Sequence, residues 1–103
     1  MCNETSVGLI DKTKIEYCAH FFISLSCHFH AHIGISIEQL LVEHDMHCFI
    51  FLHDIVFVRW MYENAIHMIN GCASKRLISI PSRNYYEQCI DTLYEKLIYN
   101  DKI

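Results

Sequence analysis

Residues 20–37 read HFFISLSCHFHAHIGISI. The odd positions are Phe21, Ile23, Leu25, Cys27, Phe29, Ala31, Ile33, Ile35 and Ile37, all apolar. The even positions are His20, Phe22, Ser24, Ser26, His28, His30, His32, Gly34 and Ser36, polar or glycine except for Phe22. Alternation with a period of two is the pattern of a half-buried β-strand, because successive side chains of an extended chain point to opposite faces. The predicted element is a long His-rich strand near residues 20–33. An ordinary strand is shorter than this run, so a bend or bulge is expected inside it.

Beyond this run, Ser36 stands three residues before Gln39, the spacing of a capping box. Ile37, Leu40, Leu41 and His44 then recur at helical intervals and predict a short helix to about His47. The apolar run Cys48–Leu52 suits a buried strand. Asp54 is placed to cap a second helix whose face is Ile55, Val58, Tyr62, Ala65 and Ile69, with a stop at Asn70-Gly71. Arg76–Ile80 reads as another strand, ended by Pro81. The capping-box spacing recurs from Asn84 to Glu87, and Tyr86, Ile90, Leu93 and Leu97 predict a third helical face. Upstream, Val7–Ile10 reads as a short edge strand. The order of elements predicts a mixed α/β (α+β) fold: a small sheet with about three covering helices, in a single domain spanning residues 1–103. A mostly helical alternative runs residues 37–70 as one or two helices.

The chain has 103 residues, 52% of them hydrophobic and 19% charged, with three glycines and one proline. That composition excludes a disordered or low-complexity chain and suits one packed core. The formal net charge is −4, and Ser74-Lys75-Arg76 is the largest basic cluster, so no footprint for nucleic acid or anionic membrane is present. The most apolar window, Cys48–Met61, is broken by His53, Asp54 and Arg59, and is too short for a membrane span. The N-terminus has no basic flank followed by an apolar run, as a signal peptide would. Six cysteines without a CxxC pair then read as reduced thiols in a cytoplasmic protein, with Cys48 and Cys89 as small core residues.

Eight histidines are the outstanding compositional feature. On a strand, His28, His30 and His32 share one face, with neighbours about 6.6 Å apart. Imidazole both titrates near neutral pH and ligates zinc, so such a row suits a solvated polar face, a sensor or a site. His28-Phe29-His30-Ala31-His32-Ile33-Gly34 resembles, over seven residues, the His-φ-His-φ-His-φ-φ signature of the histidine-triad nucleotidyl hydrolases and transferases. The resemblance implies His30 as a nucleophile on a nucleotide α-phosphate, with His28 and His32 holding phosphate or assisting the leaving group. Such an imidazole nucleophile needs no metal.

A second arrangement, Cys27-x2-His30-x13-His44-x3-Cys48, has zinc-finger-like spacing and predicts a structural zinc module over residues 27–48. The other chemistry is sparse. No GxSxG, phosphate loop, GxGxxG or paired carboxylates occur. Arg59 and Glu63 read as a local i,i+4 pair. Trp60, Met61, Tyr85 and Tyr86 are either core residues or anchors of a partner surface. The function expected by elimination is that of a small intracellular binding protein of viral or regulatory type. It would be non-enzymatic and without cofactor, engaging a protein partner or forming an oligomer, with the zinc module and the nucleotide enzyme as alternatives.

Overall fold

A computed structural model describes residues 12–32, 34–36, 39 and 54–101. Among them are three helices and no strand: α1 (Lys12–Ala31), α2 (Ile55–Ser74) and α3 (Ile80–Asp101). Each helix packs on both of the others, making a three-helix bundle. This overturns the expected mixed α/β sheet. Val7–Ile10, the helix after Ile37 and the run Cys48–Leu52 lie outside the described residues, apart from Gln39. There the expected cap is seen, with Gln39 N donating to Ser36 Oγ at 3.1 Å.

The expected strand over residues 20–33 lies largely within α1, and the reason is visible in which side chains are buried. Ala19, Phe22, Leu25, Ser26 and Phe29 are buried, at steps of three, three, one and three, which is the face of a 3.6-residue helix. Phe22, the exception to the alternation, is fully enclosed. Ser26, on the expected polar face, is also fully enclosed, and its hydroxyl donates to Ile23 O at 2.7 Å. That bond satisfies the hydroxyl within its own helix, so a serine costs little in the core. Of the odd-numbered apolar residues, Phe21, Ile23 and Ile35 sit at the core margin.

α2 begins where the sequence predicts. Asp54 is its N-cap, with Oδ1 accepting from Val56 N at 3.0 Å and Phe57 N at 3.3 Å. Its buried face is Phe57, Val58, Met61, Ala65 and Ile69. The expected stop at Asn70-Gly71 is passed, and the helix ends in a Schellman turn. Leu77 N donates to Cys72 O at 2.8 Å and Arg76 N to Ala73 O at 3.0 Å. Arg76 occupies the left-handed position with φ 61°, a place normally taken by glycine.

The predicted strand Arg76–Ile80 is instead this turn and the start of α3. Ser79 caps α3, its Oγ accepting from Ser82 N at 3.2 Å and its carbonyl from Arg83 N at 2.9 Å. Pro81 lies in the first helical turn, where its missing N–H has no helical partner to lose. It therefore fits a helix start rather than a strand end. Asn84, expected as a cap, is inside the helix and accepts from Arg83 Nη1 at 2.8 Å. The apolar face of α3 is as expected: Ile90, Leu93 and Leu97 are buried with Cys89, and Tyr86 packs against the core. Each fully buried Leu or Ile contributes on the order of 2 kcal/mol.

Candidate functional site

The helical form of α1 rearranges the histidines. Residues four apart share a helix face, so the His28 and His32 rings meet, with centroids 4.6 Å apart. His30, two residues from each, points to the other side and packs edge-on against Tyr85 of α3 at 5.8 Å. The His28, His30 and His32 imidazoles therefore do not form one row, and the strand face invoked for histidine-triad chemistry is absent. His30 Nδ1 is buried without a hydrogen-bond partner.

The same helix brings Cys27 and His30 to one side, three residues apart. His44 and Cys48, the other members of the zinc-finger-like spacing, lie outside the described residues. Among the described residues no three His, Cys, Asp or Glu side chains are grouped closely enough to hold a metal ion.

A different feature is formed between α2 and α3. Tyr62, Asp91, Tyr94, Glu95, Ile98 and Tyr99 line an open groove of about 340 Å³. Tyr94, Ile98 and Glu95, Tyr99 are spaced by four residues, which sets them along adjacent rows of α3. The Tyr62 and Tyr94 rings are stacked, with centroids 4.1 Å apart and planes 16° from parallel. Tyr62 Oη donates to Asp91 Oδ1 at 2.7 Å. That bond, with desolvation and the negative charge of Asp91 behind it, pushes the Tyr62 phenol up to about 12. Arg59 Nε donates to Tyr94 Oη at 3.4 Å, which also favours the charged guanidinium. Arg59 thus turns to Tyr94, and Glu63, its expected ion-pair partner, adds a weaker attraction. Among the described residues the Glu95 carboxylate has no hydrogen-bond or ion-pair partner. Tyr99, 61% exposed, forms the outer wall.

The helical spacing of the sequence puts Tyr62 on the inner face of its helix and does not mark Tyr94, Glu95 or Tyr99. The available signal was the Asp91-x-x-Tyr94-Glu95 spacing beside the Tyr86–Leu97 apolar face, which puts polar and aromatic groups at that face's margin. Of the four aromatic or sulfur residues weighed as anchors, Met61 is buried, and Trp60 and Tyr86 pack on the core. Tyr85 is 46% exposed.

No helix among the described residues is long and apolar enough to cross a membrane. No protein-family model, curated protein or solved structure matches this chain.

Proposed function

We propose that this chain is a non-enzymatic protein-interaction module whose α2–α3 groove receives a basic segment of a partner protein. The observation that carries the proposal is the pairing of a stacked tyrosine platform with carboxylates in one open groove. Tyrosine faces attract guanidinium and ammonium groups through the ring quadrupole, and arginine stacks on them. Asp91 and Glu95 supply the opposing charge, while Arg59 is already turned to Tyr94. Tyrosine also concentrates in binding hot spots, because a rigid ring gives contact area at little entropic cost. The net charge of −4 favours approach by a basic partner. The four described cysteines, Cys18, Cys27, Cys72 and Cys89, are free thiols, which suits a reducing intracellular compartment.

The test is an NMR titration of the full chain with a short peptide of alternating arginine and glycine, against a matched peptide with glutamate for arginine. The expected result is shifts centred on Tyr62, Tyr94, Glu95 and Tyr99 with the arginine peptide alone, weakened by salt and by Glu95→Lys. Equal response to both peptides, or shifts centred elsewhere, would overturn the proposal.

A further inference from the structure

His28 and His32 stand one helical turn apart at the C-terminal end of α1. Their ring centres are 4.6 Å apart and their planes are tilted by 45°. The His32 amide donates to the carbonyls of His28 and Phe29, both at 3.2 Å, so hydrogen bonds close the turn that carries the pair. His28 is half-buried and His32 exposed, which leaves the pair open to ions from solution.

We infer that the His28–His32 pair chelates a divalent late-transition-metal ion of the nickel(II) or copper(II) class. An imidazole nitrogen binds such an ion at about 2.0–2.1 Å, which puts its ring centre about 3.2 Å from the metal. Two imidazoles at a right angle on one ion then have centres about 4.5 Å apart, against about 5.2 Å at the tetrahedral angle. The observed 4.6 Å matches the right angle, the geometry of tetragonal copper(II) and nickel(II) rather than of tetrahedral zinc.

The helix supplies two further advantages. Residues four apart on a helix are already neighbours, so once one imidazole has bound, the second meets the ion at high effective concentration. The carbonyls of a helix's last turn carry partial negative charge, which favours a cation at this end of α1. The pair provides two ligands, fewer than the three or four that hold a resident zinc, so water completes the coordination and the ion exchanges with solution. His30 packs on Tyr85 on the other side of α1 and is not a ligand.

The experiment titrates the full chain, without an affinity tag, with nickel(II) chloride in a non-coordinating buffer. Calorimetry gives the affinity, and the imidazole signals of the NMR spectrum locate the ion. The His28 and His32 signals are expected to broaden first and together within the first equivalent. The melting temperature should rise, because the ion binds a turn present only in the folded chain. His32→Gln, at the exposed position, should weaken binding by about tenfold or more while leaving the helical circular-dichroism spectrum intact. His28→Gln should weaken it likewise, whereas His20→Gln, exposed on the same helix, should not. Magnesium(II), which takes oxygen ligands, should leave these signals unmoved. Broadening centred on other histidines or on cysteines would overturn the inference. So would affinity unchanged in both His28→Gln and His32→Gln, or no binding of nickel(II) at all.

Discussion

Phe22→Ala separates the two readings of the His20–Ile37 stretch. On a strand, Phe22 lies on the polar face beside His20 and Ser24, and truncating it would be close to neutral. In the bundle its ring is fully buried among the core residues of α1, α2 and α3. Removing a fully packed phenyl ring costs about 3–5 kcal/mol, the lost transfer energy plus the cavity left behind. A domain of this size has about 5–15 kcal/mol in total, so much of the stability would go. At roughly 4–8 °C per kcal/mol, the melting temperature should fall by about 12–40 °C. Urea unfolding followed by far-ultraviolet circular dichroism measures the loss, with exposed Ser24→Ala as the control, expected within about 0.5 kcal/mol of the parent. A Phe22→Ala variant as stable as the Ser24→Ala control would refute the helical assignment of α1.

Removing the Asp54 cap in Asp54→Ala should cost about 1 kcal/mol in the same assay, because Val56 N and Phe57 N lose their acceptor. Arg76→Gly should raise stability by about 0.5–1 kcal/mol, since glycine adopts the left-handed position of the Schellman turn without a Cβ clash; a loss would contradict that turn. Asp91→Asn should bring the Tyr62 phenol down from about 12 towards its ordinary value, read by site-labelled tyrosine NMR across an alkaline titration. The sign for stability follows: a phenol that ionises later in the folded chain supports the fold below the ordinary tyrosine value of about 10, and that support is lost as pH climbs from there towards 12. Alkaline unfolding should therefore begin at lower pH in Tyr62→Asp than in Tyr62→Phe, because only the former places an unpaired charge against Asp91.

The legible parts of the fold were those where the apolar spacing has a helical period. Asp54 and the α3 positions Ile90, Leu93 and Leu97 have one consistent helical reading, and the structure has them so. α1 has a strand-like sequence because apolar residues fill the odd positions from Phe21 to Ile37 and polar ones nearly all the even positions. A two-residue pattern and a helix with an apolar margin then look alike. Phe22 and Ser26 held the distinguishing information: a large apolar residue and a small self-satisfied hydroxyl at a helical spacing of four. Pro81 fits a strand end by sequence alone, although the first turn of a helix accommodates proline equally well. The groove was harder to anticipate, since it depends on Tyr62 and Tyr94, 32 positions apart in sequence, stacking across two helices. The histidine pattern was legible as a motif, but its geometry belonged to the strand. Once the segment is helical, His30 parts from His28 and His32.

The most direct test of the account is the NMR assignment of residues 20–32 in the full chain. Unbroken helical Cα shifts are expected through this segment, with nuclear Overhauser contacts from the His30 ring to the Tyr85 ring and from Phe22 into the core. Extended-chain shifts, with cross-strand contacts and the His28, His30 and His32 rings on one face, would contradict it.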